Sequence, residues 1–483
     1  MAQRKGAMGF LSESWNRVMQ AENGSFRYWR VRTMYASIIG YAAFYLVRQN
    51  FSMAIPGICE EYGASKSDLG WIITAFSIIY GFGKLLNGYL SDRSDARIFM
   101  SVGLLLSAIV CFTVGFSSSI VMIGLLWTLN AYFQSMGWPP AARLLTHWFS
   151  PKELGTKWAL WASSHQIGGV AITVIAGYLI VNYGWRSAFY VPAVMALLLS
   201  FFIYNRLRDT PKDVGLPPVE HYKGDLLKEE EANHDQRITM SEVIQLVIKN
   251  PLVWYISLAN LCLYIPRMGV LNWAPTFLKE YKGATLLEAG WQSAAFEVAG
   301  LVGGILAGYV SDRFFGGRRG PVGALCLLGL AASMWLLWKI PAGHGLLDTV
   351  ALILAGAFVY GPQVLAGIAI ADFASKRAVG VATGFMGVLG YLGSAISGVG
   401  IGKIVDQHGW DYGFILFIIT SLIGAFFFAL TWGHGARILQ EGRINRANAF
   451  EESEVFEDDE ATPKTSKSKK NPNTAPDGSP QKA

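Results

Sequence analysis

Arg48 and Arg267 each stand inside an apolar stretch. Arg48 closes the run Tyr41-Ala42-Ala43-Phe44-Tyr45-Leu46-Val47-Arg48, and Arg267 follows Tyr264-Ile265-Pro266. A charged side chain at the centre of a bilayer costs about 2.5 to 3.5 kcal/mol on insertion scales, so each requires a reason. Tyr41, Tyr45 and Arg48 fall at i, i+4, i+7 and share one helical face. Tyr264 and Arg267 are three apart, with Pro266 between them freeing a backbone carbonyl. Tyr80 and Lys84 form a third one-turn pair, and Trp161 and His165 a fourth. Guanidinium presents a planar fork of donors that meets phosphate oxygens bidentately, whereas a neutral sugar leaves such charge unbalanced. The pattern predicts a site for a phosphate-bearing anion. For either arginine alone, an ion pair with a buried carboxylate or a snorkelling side chain is the alternative. His165 reads as a core imidazole or as a phosphate ligand sensitive to pH, because its unperturbed pKa lies near 6.5. Lys84 is open in the same way, and ordinary packing competes for each tyrosine. Glu297, in Ala294-Ala295-Phe296-Glu297, is the main carboxylate at depth in the second half. It is expected to pair with an arginine when substrate is absent, a proton-carrier role being the rival.

The elements that place these residues are membrane spans. The chain has 483 residues, 52% hydrophobic and 15% charged, where a soluble domain is nearer a quarter charged. Stretches 98–116, 193–204 and 414–431 carry no charge at all. A spanning helix needs roughly 20 mostly apolar residues. Candidate spans fall near 33–53, 71–91, 98–117, 120–143, 158–181, 186–206, 252–275, 290–312, 321–339, 348–371, 380–404 and 411–432. Loops after spans two, four, eight and ten carry Arg93 and Arg97; Arg143, Lys152 and Lys157; Arg313, Arg318 and Arg319; and Lys376 and Arg377. The opposite loops are poorer in Lys and Arg, which predicts cytoplasmic termini in a multi-pass protein of the cell's inner membrane. The net charge of +6 then needs no nucleic-acid partner. No cleavable signal peptide is evident. Cys59, Cys111, Cys262 and Cys326 lack ligand spacing and read as small apolar fillers. No nucleophile-base or metal-ligand constellation points to an enzyme, and no cofactor is expected.

The spans fall into two repeating sets. Gly88-Tyr89-Leu90-Ser91-Asp92-Arg93 recurs as Gly308-Tyr309-Val310-Ser311-Asp312-Arg313, placing Asp312 220 residues after Asp92. Tyr183-Gly184-Trp185 recurs as His408-Gly409-Trp410, an offset of 225, and Arg48 answers to Arg267, an offset of 219. The fold class expected is an all-α membrane protein of twelve transmembrane helices in two pseudo-symmetric six-helix halves. Its parts are an N-terminal segment 1–32, a first half 33–206, a cytoplasmic linker 207–250 with the charged run 228–231, a second half 251–432 and a disordered polar tail 433–483. Asp92 and Arg93, with Asp312 and Arg313, are expected to gate by binding cytoplasmic helix ends and arginines.

These Gly-x-x-Ser-Asp-Arg elements resemble the loop signature of the major facilitator superfamily. Across residues 25–435 the chain resembles, within it, the organophosphate:phosphate antiporter family. The pieces that carry the likeness are 45–51 around Arg48, Gly137-Trp138-Pro139-Pro140, His165-Gln166-Ile167-Gly168-Gly169, Asn272-Trp273-Ala274-Pro275 and Tyr360-Gly361-Pro362. Arg208-Asp209-Thr210-Pro211 and Gly215-Leu216-Pro217-Pro218 look like the glycerol-phosphate branch. The resemblance implies a central cavity and alternating access. Arg48 and Arg267 would grip the phosphate, with His165, Lys84, Tyr45, Tyr80, Tyr264, Tyr360 and Tyr391 lining the path. It implies a monomer that exchanges an organic phosphate, glycerol-3-phosphate first, for inorganic phosphate. A hexose-phosphate antiporter, a sugar-phosphate sensor of the same fold and proton-coupled uptake of a neutral solute through Glu297 are the alternatives. Gln49 and Asn272 replace the family's Lys and Asp, Ala162 replaces an Asn and Pro266 an apolar residue. These changes bear on closure and on the non-phosphate part of the substrate.

Overall fold

The computed structural model describes residues 25–219, 245, 247–374 and 379–434, and the described residues form one compact unit. The expected linker run 228–231, Lys376, Arg377 and the tail after 434 lie outside the described residues. Among the described residues there is no strand. The first rod joins α1 (25–46) to α2 (Asn50–Tyr62), followed by α3 (Lys66–Asp92) and α4 (Ala96–Val114). The fourth joins α5 (Ile120–Gln134) to α6 (Trp138–Trp148), followed by α7 (Pro151–Tyr183) and α8 (Ser187–Arg206). The second set runs α9 (Pro251–Glu280), α10 (Leu286–Phe314), α11 (Arg319–Lys339) and α12 (Gly345–Phe373). It ends with α13 (Val379–Ala395), continued through a wide turn at Ile396–Gly400 into α14 (Ile401–His408), and α15 (Trp410–Ala429). The twelve expected spans are thus found as twelve rods.

Nine of the described helices are long and apolar enough to cross a membrane. The three rods that fall short are informative, since two are broken and α9 carries Arg267, Pro266 and Pro275. The first rod breaks at 47–49, which leaves carbonyls without helical partners. Amides from α5 replace them: Asn130 Nδ2 donates to Val47 O at 2.9 Å and Gln134 Nε2 to Phe44 O at 3.0 Å. Ser107 ties the two amides together, donating to Asn130 and accepting from Gln134.

The internal repeat is visible at one end of the bundle. Gly184 and Gly409 stop α7 and α14 at φ of 80° and 83°, a backbone conformation open to glycine and costly for other residues. The tryptophan after each then donates to a glutamate closing the first or seventh rod, Trp185 to Glu61 and Trp410 to Glu280. Glu61 also receives Arg186, and Glu280 reaches Lys66 of the other half at 3.1 Å.

At this Glu61 end the halves are shut. Asp406 accepts from the backbone of Lys66 and Ser67, and Thr74 donates to Ala395 O at 2.7 Å. A Cβ on Gly70 would lie 2.6 Å from Gly398 O, and one on Gly290 2.6 Å from Thr173 O, so both helix pairs touch backbone to backbone. Toward Asp92 the contact is gone. Cβ atoms on Gly88, Gly308, Gly384 and Gly387 would meet nothing within 4 Å among the described residues. The expected linker begins as a docked segment: Asp209 accepts from Ala96 N and from Arg143 at 3.0 and 2.8 Å.

Gly70→Leu should wedge the Glu61 end apart. A cysteine placed at Ser394, probed with an impermeant thiol reagent from that end, should label several-fold faster than in the Gly70 background. An unchanged rate would mean that the approach of α3 to the turn at Ile396–Gly400 does not hold this end shut.

Candidate functional site

The breaks and packing bring Arg48 and Arg267 to one cavity of about 60 Å³. A single water needs roughly 10 to 15 Å³ on this measure, so the space suits a small oxyanion or a few waters. Tyr45, Gln49, Ser77, Asn272 and Ser394 share its wall with the arginines, and Trp127 and Met268 supply apolar surface.

Around the arginines the contacts close into a ring. Arg48 lies 4.5 Å from the centroid of Tyr80 and 5.5 Å from that of Tyr45. Tyr80 meets Tyr391 at 5.2 Å, and Tyr391 meets Tyr264 at 6.2 Å. Arg267 lies 5.3 Å from Tyr264 and 4.9 Å from Tyr360. His165 completes the circuit, 6.2 Å from Tyr360 and 6.0 Å from Tyr45. The ring passes through the first, second, eleventh, seventh, tenth and fifth rods, with an arginine on each side. All eight members were among the candidates read from the sequence. The remaining two attach to it: Tyr41 touches Tyr45 at 5.9 Å, and Lys84 lies 5.9 Å from Tyr391 and 4.3 Å over Trp138.

An aromatic face holds a guanidinium by its quadrupole without consuming an N–H donor. Among the described residues neither Arg48 nor Arg267 has a carboxylate within ion-pair distance or a side-chain hydrogen bond, and Arg267 Nε is buried with no partner. Arg267 is 5% exposed. Donors held at depth and left unused can bind an anion.

Glu297 departs from expectation. Rather than pairing with an arginine, its carboxylate accepts from Tyr360 OH at 2.7 Å and from Gln49 Nε2 at 3.4 Å. It is 1% exposed, on α10, and the Gln49 bond crosses between the halves. The expected gating charges meet arginines and a ring within their own halves. Arg93 folds onto Tyr89, 3.6 Å from its centroid, and Asp92 offers its backbone carbonyl to Arg143 at 2.5 Å. Asp312 pairs with Arg319, which also approaches Asp372 at 3.5 Å. The contacts these residues make lie within their own halves, and the halves are apart at this end. Arg313 is exposed, with no ion pair to another described residue.

Ser77 and Ser394 escaped the sequence reading. Their hydroxyls lie 2.8 Å apart across the two halves beside the cavity. The signal was present for Ser77, which falls at i, i+3, i+7 with Tyr80 and Lys84. Among the described residues no cluster of His, Cys, Asp and Glu could hold a metal ion.

The family model described as Major Facilitator Superfamily matches residues 37–361 and 256–446. The chain belongs to that superfamily. It is 41% identical over 415 residues to the glycerol-3-phosphate transporter of Bacillus subtilis (strain 168), covering 84% of this chain and 93% of the relative. It is 37% identical to a probable hexose phosphate transport protein of Chlamydia pneumoniae, over 84% and 92% of the two chains. It is 36% identical to the membrane sensor protein UhpC of Escherichia coli (strain K12), over 83% and 91%. These relatives place the chain in the organophosphate:phosphate antiporter family, as its motifs imply. Membership makes it a membrane protein of a transporter family and not an enzyme.

Tyr360→Phe should leave the ring contacts in place and strip the buried Glu297 of its short donor. Loss of a hydrogen bond to a buried charged group costs about 1 to 3 kcal/mol, which should appear as a lower thermal midpoint in detergent. An unchanged midpoint would show that Glu297 does not depend on this bond.

Proposed function

We propose that the protein is a secondary active transporter that imports an organic phosphate, glycerol-3-phosphate first, in exchange for inorganic phosphate by alternating access. One observation carries this reading: two guanidiniums, one from each half, line the same small cavity and have no carboxylate partner among the described residues. A phosphate dianion bridging them would turn a repulsive pair into two charge-assisted bidentate contacts. It would draw the halves together, whereas an empty site leaves like charges facing one another. Reorientation without cargo is then unfavourable, and exchange follows. A ligand shifts such an equilibrium only by its differential affinity, so both arginine contacts must strengthen as the site occludes.

The excess of Lys and Arg in the loops at the Asp92 end supports a cytoplasmic location for that end and for both termini. The state with the halves apart there is the inward-facing one. The identities to a glycerol-3-phosphate transporter and a hexose phosphate transport protein support an organic phosphate as cargo, the higher identity favouring the former. The likeness to a membrane sensor protein favours a second reading, in which the site detects a phosphate ester without moving it. A monomer is sufficient for this mechanism, because the ring closes within one chain.

Proteoliposomes loaded with labelled phosphate should release it on addition of external glycerol-3-phosphate. Arg48→Lys and Arg267→Lys should each cut that exchange by about tenfold to a hundredfold through loss of bidentate contact, with unchanged folding. Near-normal exchange in both variants would remove the arginines from the mechanism. Binding of the ester with no release of phosphate would establish the sensor reading instead.

A further inference from the structure

The ends of α1, α4 and α8 bring together arginines for which phosphate exchange has no use. Arg32 and Arg208 approach the same indole, with guanidinium carbons 4.5 and 5.4 Å from the Trp29 centroid. Arg97 lies 4.9 Å from the Tyr204 ring, and Arg206 lies 5.9 Å from Phe202. Part of this arrangement caps α8. Arg32 donates to Arg206 O at 3.0 Å and Asn205 O at 2.9 Å, and Arg208 to Asn205 O at 2.9 Å, where the helix C-terminus favours cations.

Capping does not neutralise the cluster. Four cations stand near three carboxylates among the described residues: Asp95, 3.5 Å from Arg97; Asp213, already accepting from Thr210 N; and Asp209, already paired with Arg143. Arg97 Nε is buried without a partner. Burial, with Arg97 and Arg32 close by, pulls the Arg208 guanidinium below its ordinary pKa.

The surroundings suit a lipid. Trp29, Tyr28 and Tyr204 are the amphipathic rings found at headgroup depth, and the Lys- and Arg-rich loops lie at this same end. Along the same three helices Val31, Ile98, Val102, Leu198 and Phe201 are exposed, and Tyr35 packs on Phe202 at 6.5 Å. Cationic pockets beside transmembrane helices on the cytoplasmic side suit acidic headgroups.

We propose that Arg32, Arg97, Arg206 and Arg208 hold the phosphate of an anionic phospholipid headgroup, its acyl chains lying along the exposed apolar faces of α1, α4 and α8. The site is separate from the central cavity and does not depend on what the protein transports.

The test uses the full chain in nanodiscs of phosphatidylcholine with a minor share of phosphatidylglycerol, with retained lipid read by native mass spectrometry. The wild type should retain phosphatidylglycerol selectively. Arg97→Gln with Arg208→Gln should lower that selectivity by about tenfold or more. Arg97→Lys with Arg208→Lys should keep most of it, while Lys339→Gln with Lys403→Gln, elsewhere on the bundle, should not change it. Equal retention by the glutamine pair would overturn the proposal. So would displacement of the lipid by millimolar inorganic phosphate, which would mark a site for a free anion. Should the glutamine pair fail to fold, loss of selectivity in Arg206→Gln or Arg32→Gln alone decides in favour, and its full retention in both decides against.

Discussion

Two cations without counter-ions, held at depth, set the terms for the rest of the structure. Leaving a charge buried and unpaired is costly, and the usual remedy is a carboxylate. Here the cost is offset by aromatic faces, which stabilise a guanidinium by about 0.5 to 2 kcal/mol each while leaving its N–H groups unused. Arg48 has Tyr45, Phe76 and Tyr80 within 5.5 Å, and Arg267 has Tyr264 and Tyr360. A carboxylate in either place would make a more stable resting protein and a worse anion site. The tyrosines therefore hold the charge and leave its N–H groups unused, as the proposed anion site would require.

Placing Arg48 has its own requirement. The residue sits in the break at 47–49, and a break inside a bilayer is tolerated only where other groups satisfy the freed carbonyls. Asn130 and Gln134, tied together by Ser107, do this, and none of the three lines the cavity. The second half reaches a similar position differently, with Arg267 inside a continuous helix one residue after Pro266. Symmetry between the halves is thus closer in the position of the charge than in the backbone that carries it.

Much of this was legible in the sequence because it rests on composition and period. Apolar length gave the rods, repeated offsets gave the two sets, and helical spacing put Tyr41, Tyr45 and Arg48 on one face. What escaped depends on contacts between distant segments. Nothing in the run around Asn130 marks it as the support for a break 83 residues earlier. Glu297 looked like an arginine's partner because charge suggested it, yet the nearest donors are a phenol and an amide. The gating charges were expected to bind helix ends and arginines in holding one conformation shut, and the partners they find depend on the conformational state. With this end open, Asp312 pairs with Arg319 of its own half, and Asp92 meets Arg143 through its backbone carbonyl.

Gln49 and Asn272 show how the chain reconciles charge with closure. Both line the cavity, one from each half, where the resembling family has a lysine and an aspartate. An ion pair there would tie the halves together in the absence of any ligand, and replacing both members leaves the net charge of the cavity the same. In this chain the crossing contact is instead the bond from Gln49 to Glu297, 3.4 Å long and with a neutral donor. Such a bond is weaker than an ion pair in a low-dielectric site and easier to exchange for a contact with a ligand. On the exchange mechanism proposed above, the work of bringing the halves together would then fall more heavily on the cargo and the two arginines, and movement would depend more tightly on occupancy.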